Sequence, residues 1–394
     1  MPADLGPLDD EAYWRALRPQ FTIPPDQAFF NTATLGSSPR AVQETVLQSI
    51  QHVNRDIAEW DYKAGHENFF TGYYPELPSR EKVATTLNCT GHDVALTMNA
   101  TFGMNFVANG LDLKPGDEVV VTDQAHPGGR MGYDLRAKRD GIVVKVVTVP
   151  TPPESPDQLI QLYLDATTPR TRVWAIPHIS SSRAIRYPVD RLCALARERD
   201  IWSVIDGAQS LGHVAIDVQA MGCDAFFASP HKWMLGPKGT GLLYVRPERQ
   251  KELWTTLASG AWDDQADPMF RLMQYGTGNL SLLLGLGVAV DFHNQIGSTK
   301  IQERDFALAQ RLRTGLASIP GSTFVSPTHP ELTCGTTVYG LKNRTGAEIQ
   351  DYLWERGKVR VRSMGDVGVR HACHIYNSPD EVDKALALLK EMAA

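Results

Sequence analysis

A lysine that follows Ser-Pro-His at the end of an apolar run, Ser229-Pro230-His231-Lys232, is placed for carbonyl chemistry. Once burial lowers its affinity for a proton, its amine can condense with an aldehyde to a Schiff base. Upstream, in VIDGAQSLG, an apolar run ends on Asp206 and Gln209 follows three positions later. A carboxylate there suits the protonated nitrogen of a pyridine ring, so Lys232 and Asp206 together point to an aldehyde cofactor built on pyridine. A phosphate subsite is legible in Asn99-Ala100-Thr101-Phe102-Gly103, which follows VALTM and opens a helix. Backbone amides at the start of a helix, joined by the Thr101 hydroxyl, bind anions. Arg362, in VRVRSMG, and Arg370, in GVRHACHIYN, carry planar guanidinium groups, a type that can bond a carboxylate in bidentate fashion. Arg360 alternates onto the strand face of Arg362.

The elements that must position these groups are readable from about Asp93 to Val245, where short apolar runs alternate with helical patterns. The strands are expected at 94–98, 118–122, 143–148, 173–176, 202–205, 225–228 and 241–245, with helices at 130–139, 156–164 and 189–199. Strands covered on both faces by crossover helices make a doubly wound α/β sheet, here of seven mostly parallel strands, with ligands at the carboxyl ends. After about Leu280 the texture changes to long helices, then strands near 337–341, 359–362 and 370–376 and a final helix from Ser378. The expected division is an N-terminal segment over 1–30 with a helix at 10–18, a large domain over 31–284, and a smaller α+β domain over 285–394. GLDLKPGD, ATTPRTR and VPTPPESP read as turns or exposed loops.

The composition is that of a protein with room for a sizeable core: 394 residues, 42% hydrophobic, 21% charged. A net charge of -6 argues against a nucleic-acid partner. Five scattered cysteines without a C-x-x-C pair argue against a disulfide framework or a structural zinc. No secretory signal is visible, and no apolar run approaches the ~20 residues of a membrane span. The expectation is a cytoplasmic protein with no membrane partner.

The stretch from Val204 to Arg246 resembles the class V aminotransferase family of pyridoxal phosphate enzymes of fold type I, and the resemblance extends from about Phe29 to the C-terminus. It implies a fold type I transferase, a pyridoxal 5'-phosphate cofactor and an amino-acid substrate. In that family a strand ends in D-x-x-Q or D-x-x-H and the cofactor lysine follows in S-x-H-K. By resemblance Lys232 carries the cofactor, Asp206 pairs with its ring nitrogen and Gln209 bonds its phenolic oxygen. Ser229 and His231 hold the phosphate, as do Ala100, Thr101 and Phe102. His126, in VTDQAHPGG, stands at the place of the ring-stacking histidine, with Ala125 where the family usually has glutamate. Ser181 stands near the phenolic oxygen. Gly276-Thr277-Gly278-Asn279 resembles the segment through which a second subunit supplies a phosphate contact, with Thr277 in that role, which implies a homodimer. Asn31, in FFNTATLG, matches the asparagine that binds the substrate carboxylate, and Arg362 or Arg370 matches the arginine.

The chain also departs from the cysteine desulfurase branch. The segment Ser363 to Val369, SMGDVGV, contains no cysteine where that branch has its nucleophile, so persulfide transfer is not expected. Cys373 reads as a buried structural thiol. His371, Cys373 and His374 cannot converge on a metal while neighbours in a strand face opposite ways, and no metal site is expected. GPKGTG, at 236–241, is a turn, because it precedes a strand instead of linking a strand to a helix. Trp60, Tyr62 and Phe69-Phe70 either line a substrate entrance or pack a helix, and the loops at 58–74 and 261–274 read the substrate side chain. The leading expectation for the reaction is β-elimination of the C–S lyase type. Epimerisation like that of isopenicillin N epimerase and transamination are the alternatives. A non-catalytic binding protein of this fold would be expected to have lost the lysine or the aspartate.

Overall fold

The computed structural model describes residues 11–59 and 77–394. Trp60, Tyr62, Phe69 and Phe70, and the loop over 60–74, lie outside the described residues. The strands, in chain order, are β1 (Ala28–Phe29), β2 (Val94–Thr97), β3 (Glu118–Thr122), β4 (Val143–Val147), β5 (Thr171–Pro177), β6 (Trp202–Asp206), β7 (Ala225–Ala228), β8 (Gly241–Val245), β9 (Ser322–Phe324), β10 (Thr336–Leu341), β11 (Val359–Arg360), β12 (Arg362–Ser363) and β13 (Val369–Ala372).

Seven of them form one sheet in the order β2-β8-β7-β6-β5-β3-β4. Every neighbouring pair from β7 to β4 is parallel, while β8 runs antiparallel to both β2 and β7. Strands inside the sheet are almost wholly buried, as in EVVVT of β3, because helices cover both faces, and β5 exposes only Arg172 near its start. The edge strand β4 shows the contrast, with Val143 and Val146 exposed. Helices cross between strands over Ala100–Gly110, Met131–Asp140, Pro156–Ala166 and Val189–Arg197. Their starts follow local chemistry: Asn99 caps the first, and Ser155 caps the third with Pro156 at its first position. The parallel geometry brings the carboxyl ends of β3, β5, β6 and β7 to one rim, and the site is built there.

A second apolar cluster gathers Leu308, Leu312, Tyr339, Ile349, Leu353, Val382 and Leu389 between long helices and a four-stranded sheet ordered β12-β13-β10-β9. The helix Leu280–Ile296 lies outside it: Leu286 and Val290 pack into the core of the large sheet, and Phe292 and Ile296 join a third cluster with Tyr13, Trp14 and Leu17. The N-terminal residues are also divided from the large sheet: β1 pairs in parallel with β11, and the Ala372 amide donates to the Phe30 carbonyl.

Two details differ from the sequence reading. The strand expected over 359–362 breaks at the buried Val361 into β11 and β12, which join different sheets. Arg360 and Arg362 therefore part company, and the Arg360 guanidinium lies 4.0 Å over the Trp354 ring. The strand expected over 370–376 ends at Ala372, after which a tight turn forms, with the Asn377 amide bonding the His374 carbonyl.

Candidate active site

A cavity of about 500 Å³ opens at the carboxyl rim of the large sheet, a size suited to a small cofactor with its substrate. Lys232, Asp206, His126, Ala100, Thr101, Ser181, Gln209, Ser229, His231, Arg362 and Arg370 all line it. They come from segments spread over nearly the whole chain, and the sheet topology alone makes them neighbours.

The floor is set by β6 and β7. Asp206 ends β6, and its Oδ1 accepts the Ala208 amide at 2.9 Å. Burial pushes its carboxyl above the usual range, opposed by that amide and by the charges of Lys232 and His126. Lys232 follows β7. Burial lowers its ammonium to about 8, with Asp206 opposing and Arg370 assisting. A substantial share of the amine is thus neutral near pH 8, the form that can attack a carbonyl or take a proton. Glycines let the chain close on both groups. A Cβ on Gly129 would sit 2.3 Å from Asp206 Oδ2, and one on Gly36 would sit 2.0 Å from the Lys232 carbonyl oxygen.

Gln209 is oriented by its neighbours. The Trp233 indole donates to its Oε1 at 2.8 Å, and its Nε2 donates to the Ala33 carbonyl at 2.9 Å. The amide nitrogen therefore keeps one hydrogen for the cavity. His126 Nδ1 accepts the Gly128 amide at 3.0 Å, which leaves the proton of the neutral ring on Nε2. Burial first, and Lys232 next, hold this ring below the usual histidine range.

At the opposite end, Ser229 Oγ accepts the Ala100 amide at 2.9 Å, and Asn99 Oδ1 accepts the Phe102 amide at 3.2 Å. The Phe102 amide is therefore spent on the Asn99 cap, and Phe102 does not line the cavity. Thr101 is left to face the space with its amide and hydroxyl. His231 Nδ1 is buried without a partner, and burial lowers its ring to about 4. An orphaned ring nitrogen, a helix start and a serine hydroxyl make a polar cradle for a phosphate.

Arg370 is buried and anchored: Nη1 donates to the Ser181 carbonyl at 2.8 Å, and Nη2 donates to Thr34 Oγ1 at 2.6 Å and to Asn31 Oδ1 at 3.5 Å. Its Nε has no partner, and among the described residues no carboxylate pairs with it. Asn31 stands behind this arginine, off the cavity wall, and also accepts from Thr34 at 2.8 Å. Thr34 was not singled out from the sequence; its place three residues after Asn31 in FFNTATLG was the available signal. Thr277 does not reach the cavity, and it is exposed just before Asn279, which caps the helix Leu280–Ile296.

Sequence reasoning weighs His374 only as a metal ligand and misses its partnership with Asp305. His374 Nε2 lies 3.0 Å from the Trp233 carbonyl and Nδ1 lies 2.7 Å from Asp305 Oδ2, with both side chains fully buried. A carbonyl only accepts, so Nε2 carries a proton, and one further proton is shared between Nδ1 and the carboxylate. This pair ties the helix Ser298–Ala317 to the residue after Lys232. The remaining signals resolve as structure. His371 packs on Phe30 with ring centroids 4.1 Å apart. No group of three metal-ligating side chains occurs among the described residues. None of the five cysteines lines the cavity; four are buried and burial raises the Cys373 thiol.

Pyridoxal phosphate fits this set: a buried amine beside a buried carboxylate, a wall opened by Gly128, and a phosphate cradle with an unsatisfied imidazole nitrogen. The comparisons with known proteins agree. The model of the family described as aminotransferase class V matches residues 36–385. Isopenicillin N epimerase of Amycolatopsis lactamdurans is 30% identical over 96% of this chain and 98% of its own. A probable cysteine desulfurase of Methanothermobacter thermautotrophicus is 30% identical over 80% of this chain and 83% of its own. Among solved structures, the cystine C–S lyase C-DES in complex with its product cysteine persulfide superposes with a TM-score of 0.80 at 24% identity, covering 93% of this chain and 98% of that one. Sheet order, cavity and matched length thus lead to one assignment: the chain belongs to the class V aminotransferase family, with the fold type I architecture and pyridoxal phosphate as cofactor.

Proposed function

We propose that the protein catalyses β-elimination from an α-amino acid, in the manner of a C–S lyase. The observation that carries the reading is the buried, acid-free Arg370 beside the partly neutral Lys232, in a cavity that no thiol enters. An uncompensated buried guanidinium is costly, and a substrate carboxylate completes it. Bound pyridoxal phosphate supplies an electron sink for the pair left when a bond to the α-carbon breaks.

The chain's own residues do the rest. Arg370 holds the α-carboxylate, with Thr34, Asn31 and the Ser181 carbonyl fixing its planar head. Lys232 takes the α-proton. The Cβ–X bond then breaks with its electron pair on X, and water completes conversion to a 2-keto acid and ammonia. With the cofactor bound, Asp206 would supply a negative charge to its ring nitrogen, Gln209 would donate to its phenolic oxygen and His126 would pack against its ring, while Thr101, Ser229 and His231 would hold its phosphate. Thr277, exposed in this chain, reaches the site of a partner subunit in a homodimer, and light scattering should return about twice the 43.5 kDa chain mass.

A second reading, epimerisation, is favoured by the similarity over nearly the full length to isopenicillin N epimerase. Turnover of the best substrate in deuterated water separates the two. Elimination yields a keto acid and a released β-group, whereas epimerisation returns intact amino acid, deuterated at the α-carbon and inverted. Inverted product without keto acid would replace the first reading by the second.

A further inference from the structure

Arg362 and Arg370 are Cα partners on the neighbouring antiparallel strands β12 and β13. Residues directly opposite project from the same face, and like charges so placed destabilise the pair. Both line the cavity, and among the described residues neither forms an ion pair with Asp or Glu. The two acids on the same wall are otherwise engaged: Asp123 Oδ1 accepts from Gln124 and from the Val149 amide, and Asp206 lies beside Lys232.

The two arginines differ in how they are held. Arg370 is buried and fixed by three acceptors, whereas the Arg362 side chain is exposed, lines the cavity and makes no hydrogen bond to any described residue. A fixed guanidinium suits the one group every α-amino acid shares. A free one on the same face, a strand spacing away, suits a group that only some substrates carry. Two cations in register across a ladder are tolerated where a ligand with two negative ends bridges them.

We propose that Arg362 is a specificity residue, and that the substrate is an α-amino acid with a second carboxylate at the end of its side chain. This rests on the reading of Arg370 as the α-carboxylate clamp and is independent of which bond the enzyme breaks.

The test is binding to the cofactor-loaded protein, read as the shift in its melting temperature with unreactive acids. Succinate and glutarate should bind about tenfold to a hundredfold more tightly than butyrate and pentanoate, the scale of one charged hydrogen-bonded contact. Arg362→Gln should bring the dicarboxylates down to the level of the monocarboxylates while the cofactor absorbance stays as in wild type. Arg362→Lys, which keeps the charge without the fork, should fall between. Without ligand, Arg362→Gln should melt at or above the wild-type temperature, because a like-charge pair has been relieved. An unchanged preference for dicarboxylates in Arg362→Gln would overturn the proposal. So would loss of cofactor from that variant, which would assign Arg362 to the phosphate, or a clear fall in its ligand-free melting temperature, which would make it structural. A failure of β-elimination in the deuterium experiment leaves all these binding outcomes unaffected.

Discussion

Lys232 sits where burial and Arg370 lower its ammonium against the pull of Asp206, and this has a measurable consequence. In the cofactor-free protein, the rate of condensation with pyridoxal phosphate should climb with pH and level off above about 8, the value its environment sets, well short of the ordinary lysine value of 10.5. Continued rise to pH 10 would mean the amine is not desolvated. Lys232→Ala should lose the cofactor mass that borohydride fixes on wild type, and should cut turnover by about 10² to 10⁴, the range of one positioned acid–base group. Arg370→Ala removes an anchored buried cation, and kcat/KM should fall by the equivalent of about 2 to 5 kcal/mol while cofactor absorbance survives. At this scale the sequence was most informative, because Asp206, Gln209, His231 and Lys232 lie at fixed spacings around two strands. Thr34 and the Asp305–His374 pair were not legible, since a threonine in a turn or an isolated histidine acquires its partners only when distant segments meet.

The elements carry their own electrostatics. Glu118 opens β3 and is fully buried, yet it accepts from Lys145 at the next strand and from Thr168, Thr171 and Arg170 at the start of β5. Burial alone would raise its carboxyl, but these four donors bring it down to about 2. Its folded value thus lies below the ordinary 4.5, so its contribution to stability is complete above pH 4.5 and is lost as pH falls toward about 2. Glu118→Gln should flatten the acid limb of the melting curve in that window, and an unaltered acid limb would show that the cluster holds nothing. Gly129→Ala tests the close approach at the active-site rim: a methyl group 2.3 Å from Asp206 Oδ2 must displace the carboxylate or the loop, and cofactor affinity should drop about tenfold or more, measured by absorbance titration. The seven strands of the large sheet were legible because uninterrupted apolar runs of strand length follow turn signals. The break at Val361 was not, since VRVR alternates as one strand would, and only pairing with two different partners divides it.

For the molecule as a whole, the buried Asp305–His374 pair and the Arg304–Glu11 ion pair fasten the C-terminal half to the segment after Lys232 and to the first described helix. The small sheet and the helices over it could be expected from the change of texture after Leu280, but periodicity says nothing of which chain segment completes a sheet. The parallel pairing of β1 with β11 is such a case, joining residues about 330 positions apart in the chain. Its consequence belongs to biosynthesis. At ribosomal speeds of roughly 5 to 20 residues per second, residues 28–30 wait about 20 to 60 s for their partner strand, through the whole translation of the large sheet. Residues 28–30 are therefore among the last to be secured, and a nascent chain stalled before residue 359 should expose them to a protease that the released protein resists.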